Sequence, residues 1–190
     1  MIRAVIFDCF GVIITDALRP VVAEKEATDP ATAQQIVQIV RENNRGVISP
    51  AESNRQIAAL LGISVQSWRH RIHSREVKND QLLSYIVELR KHYKTALLSN
   101  IAVQSLHRRF SEEELRRYFD VLVISGELGV IKPEPEIYLR AASELNVTAA
   151  ECIMVDDRQR HCDGARVVGM STVLYEDFRQ TKRDLEKLLK

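Results

Sequence analysis

The 190-residue chain is 45% hydrophobic and 28% charged, with a formal net charge of +1. That composition suits one well-filled core with room for a small inserted module, and excludes a disordered chain. It holds no basic surplus for nucleic acid or an anionic membrane, so neither is expected as a partner. The three cysteines are odd in number and no two have Cys-x-x-Cys spacing, which argues against structural zinc. Cys9 and Cys152 lie in or beside apolar runs and read as buried, reduced thiols. The apolar run behind Met1 is too short for a signal peptide, no stretch reaches transmembrane length, and the cytoplasm is the expected compartment.

The first predicted element is a strand over Ile2–Phe7, continuous in apolar residues as a strand buried on both faces would be. It stops at Asp8, with Gly11 in the following loop. From about Asp16 to Leu82 the spacing is helical. Ala33, Ile36, Val37 and Val40 form one stripe and Ile57, Leu60 and Leu61 another. Ser49-Pro50-Ala51-Glu52 predicts a helix start with a capping serine, proline at the first position and a reciprocal glutamate. Ser64 starts the next helix, carrying Trp68 and Ile72, with Trp68 expected to pack among these helices. The run Arg69, His70, Arg71, His73 and Arg75 reads as a solvated face, with a contact to an anionic substrate as the alternative if one face turns toward the cleft. Further strands are predicted at Thr95–Leu98, Val121–Ile124, Cys152–Val155 and Thr172–Leu174. Between and after them come a capped helix at Ser111–Glu114 carrying Leu115 and Phe119, one over Pro135–Leu145 with Ile137, Leu139, Ala142 and Leu145 inward, and a closing helix with Phe178, Leu185, Leu188 and Leu189. The alternation predicts an α/β fold with a doubly wound parallel sheet, helices covering both faces. Residues 1–15 and 83–190 would form its core and 16–82 a helical insert.

Ligands of such sheets bind beyond the carboxyl ends of the strands. Four polar groups fall at such strand or loop ends: Asp8, Ser99-Asn100, Lys132 and Asp156-Asp157. Carboxylates from two strands can hold a hard cation such as Mg²⁺, a hydroxyl and a lysine can hold phosphoryl oxygens, and a carboxylate can attack phosphorus. Together they outline a phosphoryl-transfer site.

Four stretches carry a resemblance in order: Val5-Ile6-Phe7-Asp8-Cys9-Phe10-Gly11-Val12, Ala96-Leu97-Leu98-Ser99-Asn100, Gly129-Val130-Ile131-Lys132-Pro133-Glu134-Pro135-Glu136-Ile137-Tyr138, and Ile153-Met154-Val155-Asp156-Asp157 followed by Gly164 to Met170. The chain resembles the haloacid dehalogenase superfamily. The resemblance implies a Rossmann-like core with the insert as a cap, and a Mg²⁺-dependent phosphatase of a small phosphorylated metabolite. By that resemblance Asp8 is the nucleophile, and Ser99, Asn100 and the backbone at Phe10 and Gly11 hold the phosphoryl group. Lys132 offsets its charge. Asp8, the Phe10 carbonyl and Asp156 bind Mg²⁺, with Asp157 acting through water or orienting the site.

The pattern departs from the family at three positions. Phe10 stands where most phosphatases of the superfamily carry a second aspartate, the general acid–base group, whose loss costs ~10²–10⁴-fold. Arg158 and His161 replace a small residue and an asparagine. His161 reads as a surface or helix-start residue, with an acid–base role as the minority reading. Two rival expectations follow: a weak or inactive relative that binds a phosphorylated ligand or a protein, and a metal-independent dehalogenase, suggested by the aromatic Phe10 and opposed by the acidic pair.

Overall fold

The apolar runs become five parallel strands in the computed structural model, which describes residues 1–189 without the Val103 side chain. They are β1 (Ala4–Phe7), β2 (Lys94–Ser99), β3 (Val121–Ile124), β4 (Cys152–Asp156) and β5 (Ser171–Leu174), ordered β3-β2-β1-β4-β5. Ile2 and Arg3 lie before β1 rather than in it. The strand is buried throughout because both faces are covered. Val5 and Phe7 join one apolar cluster, Ala4 and Ile6 another. The chain leaves β1 for β2 on one side and reaches β4 on the other, so the sheet has its switch point at the end of β1.

Five helices separate β1 from β2: α1 (Arg19–Thr28), α2 (Pro30–Asn44), α3 (Pro50–Leu60), α4 (Val65–His73) and α5 (Asp80–Leu89). Helices α1–α4 gather around their own cluster of Val21, Ile36, Ile39, Ile57, Ala58 and Trp68, and Trp68 Nε1 donates to Asn54 Oδ1 at 2.9 Å. In α5, Leu82, Leu83, Ile86 and Leu89 pack against the sheet instead, so residue 82 lies inside a sheet-packed helix. The turn after α2 is tied to the sheet half: Ser125 Oγ donates to the Asn44 carbonyl at 2.6 Å, and Arg45 donates to the Gly129 carbonyl and pairs with Glu134.

The remaining helices are α6 (Val103–Leu106), α7 (Glu112–Tyr118), α8 (Ser125–Leu128), α9 (Pro135–Glu144), α10 (Gln159–Val167) and α11 (Phe178–Leu188). Helix α7 opens on the Ser111–Glu114 capping box. At α3, Ser49 caps as expected, but Glu52 turns to Arg55 and Gln56 rather than back to the cap. Two stripes differ in detail from the helical spacing. In α2 the buried residues are Ala33, Ile36 and Ile39; Val40 packs partly buried against the same cluster and, like the exposed Val37, lines a cavity between the helices and the sheet. In α9 Ile137 and Ala142 are buried as expected, as is Leu145 at its C-terminal end, with Tyr138 and Ala141 beside them; Leu139 is exposed, because Tyr138 reaches inward to donate its hydroxyl to the His161 carbonyl. All three cysteines are free and buried. No described helix is long and apolar enough to cross a membrane.

Candidate active site

Strands β1 and β4 are paired with Phe7 opposite Val155, and the Asp8 N–H donates to the Val155 carbonyl at 2.9 Å. The register brings Asp8 level with Asp156, while β2 ends on Ser99 beside them. Lys132 arrives from the loop before α9. Asn100 directs it: its Oδ1 accepts from the Lys132 N–H at 2.8 Å and its Nδ2 donates to the Lys132 carbonyl at 3.0 Å. Both ends of that amide are spent on the loop, so Asn100 acts here by placing Lys132. Gly164 lets α10 approach the same loop, since a Cβ there would meet the Pro133 carbonyl.

The Lys132 ammonium is buried between two carboxylates, 2.7 Å from Asp8 Oδ1 and 2.6 Å from Asp156 Oδ2. Burial works against its charge, but Asp156 and Asp8 outweigh it and hold the lysine above its ordinary value. Asp156 also accepts from the Arg158 N–H at 3.0 Å and contacts His161 Nδ1 at 2.9 Å. Burial resists its charge too, yet Lys132 and His161 prevail and hold it below the ordinary carboxylate value. Asp8 differs. Burial, then the neighbouring Asp156, push it upward against the pull of Lys132. Its Oδ1 takes the Cys9 N–H at 2.7 Å as well as Lys132, which leaves Oδ2 without a protein partner among the described residues.

The expected placement of His161 at the surface is corrected. It is buried on the first turn of α10 with Nδ1 on Asp156, and burial drives its pKa down to about 4. With the Nδ1 proton donated to the carboxylate, Nε2 keeps a bare lone pair and has no partner. The five-residue step from Asp156 to His161 was the only available signal, and it becomes meaningful only once α10 turns back over the strand end. Arg158 is likewise engaged, 2.8 Å from Asp16 at the entrance to α1. The segment from Arg69 to Arg75 is not wholly a solvated face: Arg69 and His73 line the cavity above the site, and Arg71 pairs with Glu24.

That cavity, of about 860 Å³, lies between α1–α4 and the strand ends and reaches Asp8, Ser99, Lys132 and Asp157. Four polar atoms of its lining residues are buried without partners among the described residues: Ser99 Oγ and Asp157 Oδ1, together with Asn43 Oδ1 and His161 Nε2. Asp157 Oδ2 pairs with Arg19; burial nevertheless keeps Asp157 above the ordinary carboxylate value. Phe10 packs on the sheet-side cluster with the Arg109 guanidinium 5.1 Å from its ring centroid. The Gly11 N–H is occupied by the Ile14 carbonyl at 2.6 Å, so this amide is not free for a ligand in the present conformation.

Gly11 has φ +90°, and a Cβ there would run into the Asp157 carboxylate. Gly11→Ala is therefore expected to destabilise the protein by ~1–3 kcal/mol through backbone strain plus that clash. Urea denaturation checks this; an unchanged midpoint would show that the loop and Asp157 can move apart freely.

Among the described residues, Asp8, Asp156 and His161 bring ligand atoms within 4.8 Å of one another. Lys132 already supplies a cation between the two carboxylates, so a metal fits poorly on that side. The other side fits better: Asp8 Oδ2 lacks a protein partner and Asp157 Oδ1 is buried and bare.

The sequence model for haloacid dehalogenase-like hydrolases matches residues 2–169. D-ribitol-5-phosphate phosphatase of Bacteroides thetaiotaomicron is 27% identical over 208 residues, covering 100% of this chain and 99% of the relative. Bifunctional epoxide hydrolase 2 of Sus scrofa is 29% identical over 121 residues, covering 62% of this chain; the match spans only 22% of that relative's length. In structure, a HAD family enzyme of Bacteroides thetaiotaomicron in complex with magnesium and inorganic phosphate superposes with a TM-score of 0.72 at 22% identity, over 94% of this chain and 98% of the other. The α/β Rossmann-like fold read from the sequence is thereby shown.

Proposed function

The chain belongs to the haloacid dehalogenase-like hydrolases, and on that footing we propose that it is a Mg²⁺-dependent phosphatase of a small phosphorylated metabolite. The observation that carries this reading is the set of unpaired atoms around Asp8. A free carboxylate oxygen, the bare Ser99 hydroxyl and the bare Asp157 Oδ1 border one cavity, with the Lys132 ammonium fixed behind them. Buried polar atoms without partners are costly, and a phosphoryl group with its cation would satisfy them.

Asp8 Oδ2 attacks phosphorus, and the P–O bond to the leaving alcohol or acid breaks as the Asp8–phosphoryl bond forms. Ser99 donates to a phosphoryl oxygen, and Lys132 offsets charge on Asp8 while holding it in place. Water then attacks phosphorus, releasing inorganic phosphate and restoring Asp8. Asp8, Asp157 and the Phe10 carbonyl would hold Mg²⁺, which offsets the repulsion between an attacking carboxylate and a phosphate. Asp156 takes an anchoring role in this scheme, because Lys132, His161 and the Arg158 N–H already occupy its oxygens. Helices α1–α4 serve as the cap that closes the cavity.

Phe10 offers no proton to the leaving oxygen. Leaving groups that depart as stable anions, such as the carboxylate of an acyl phosphate, suit this site better than alkoxides. The test is phosphate release from acetyl phosphate and p-nitrophenyl phosphate, with Mg²⁺ and with EDTA. Mg²⁺-dependent release is expected. Phe10→Asp is expected to raise turnover of an alkyl phosphate by ~10²-fold while changing acetyl phosphate little. Silence of the wild type on every ester, with activity appearing in Phe10→Asp, would replace the phosphatase with a protein that binds phosphorylated ligands.

A further inference from the structure

Seven arginines line the cavity, and they fall into two classes. Arg19, Arg158 and Arg109 each have a carboxylate, from Asp157, Asp16 and Glu76 respectively. Arg41, Arg69, Arg108 and Arg160 have none within ion-pair distance among the described residues. A chain with a net charge of only +1 thus concentrates unpaired cations over its site. Their placement is specific. Arg69 projects from the cap helix α4, whereas Arg108 follows α6 in the sheet half, so the two line one cavity from its two halves, near enough for Arg69 to act on the Arg108 guanidinium. Beside them Arg109 is held by Glu76 at 2.9 and 2.5 Å, by the Ser105 carbonyl at 2.6 Å, and over the Phe10 ring.

We infer that Arg69 and Arg108, backed by Arg109, form a second anion subsite, so that the substrate carries a carboxylate or second phosphate at the end away from the phosphoryl group that is cleaved. This rests on the phosphatase reading for the position of the first phosphate only. Like charges facing each other from cap and sheet repel, and an anion between them turns that repulsion into two charge-assisted contacts. The guanidinium of Arg108 is pushed below its ordinary value by burial and by Arg109 and Arg69, with Glu76 the carboxylate that opposes the shift. His73 faces the same group and is lowered by burial and by these arginines against the pull of Glu76, which favours its neutral form. The ring of Phe10 gives the connecting carbons an apolar surface between the two anions. An arginine pair that grips the far anion also compensates for the missing acid at Phe10, since binding energy from a remote group can be used at the reacting centre.

The test uses two matched pairs of ligands, each differing only by a terminal carboxylate in place of a hydroxymethyl group: 3-phosphoglycerate against glycerol 3-phosphate, and 6-phosphogluconate against glucitol 6-phosphate. Binding is measured by calorimetry on full-length Asp8→Asn protein with Mg²⁺, so that no turnover is required. In at least one pair the carboxylate form is expected to bind about tenfold more tightly or better. Arg69→Gln combined with Arg108→Gln is expected to erase that preference while leaving affinity for the hydroxymethyl partner unchanged. Both arginines are exposed, so the variant folds, and a circular dichroism melt confirms it. Equal affinity within both pairs overturns the subsite, as does a preference that survives the double substitution or vanishes instead in Arg41→Gln with Arg160→Gln. Failure of the phosphatase reading looks different: the preference holds, but no phosphoester is hydrolysed by the wild type.

Discussion

Replacing Lys132 with methionine is expected to lower the thermal stability of the protein and to reduce phosphate release by ~10²–10³-fold. Its ammonium is buried and lies 2.7 Å from Asp8 and 2.6 Å from Asp156, so its removal leaves two buried carboxylates facing each other without the cation between them. Breaking a buried ion pair from one side costs about 3–5 kcal/mol, because the remaining charge loses its partner while its desolvation persists. A second substitution separates the two effects. Lys132→Met with Asp156→Asn removes the like-charge contact and should regain much of the stability without restoring activity. Chemical denaturation and phosphate release on the single and double variants provide the check. Recovery of both together would mean that Lys132 acts only on the fold.

Asp8→Asn should have the opposite sign for stability while abolishing turnover, with a loss of ~10⁴-fold or more. Burial and Asp156 push the Asp8 carboxyl above its ordinary value, so its charge is a burden on the metal-free fold. The sign follows from linkage. A carboxyl raised in the folded state contributes stability that is fully present in acid, below its unfolded value, and is lost as pH rises through the folded value. In EDTA, Asp8→Asn is therefore expected to melt higher than wild type near neutral pH and to match it in acid, while Lys132 keeps its contact with Asp156. Thermal melts across pH, with and without Mg²⁺, read both claims. A destabilised Asp8→Asn at neutral pH would show that Lys132 outweighs burial at this position. With Mg²⁺ the order should reverse, since the cation binds the carboxylate more tightly than the neutral amide oxygen.

Much of this site was legible because chemistry and position coincide in the sequence. Asp8 and Asp156 end apolar runs, and a run that ends in a carboxylate can be read without coordinates. Lys132 was legible through its Ile-Lys-Pro-Glu-Pro setting. What could not be read is how each group is satisfied. Asn100 looks like a phosphate contact in a motif, but its amide is spent on the Lys132 peptide. His161 looks like a surface residue, yet it is buried against Asp156. Asp156 and Asp157 are adjacent in sequence and alike in chemistry. Only their surroundings separate them, one saturated by Lys132, His161 and a backbone N–H, the other bare at one oxygen.

By itself the sequence determined the parallel sheet, the helical insert and the identity of the groups gathered at the strand ends, because burial imposes a period on apolar residues and leaves chemistry to the polar ones that interrupt it. Tertiary structure alone decided which face each helix turns inward, as at Val37 and Leu139, because helical spacing admits neighbouring stripes until a packing partner selects one. It also decided where the arginines go. Arg69 and Arg108 are separated along the chain by α5 and β2, and their shared cavity exists only after the cap folds back over the sheet.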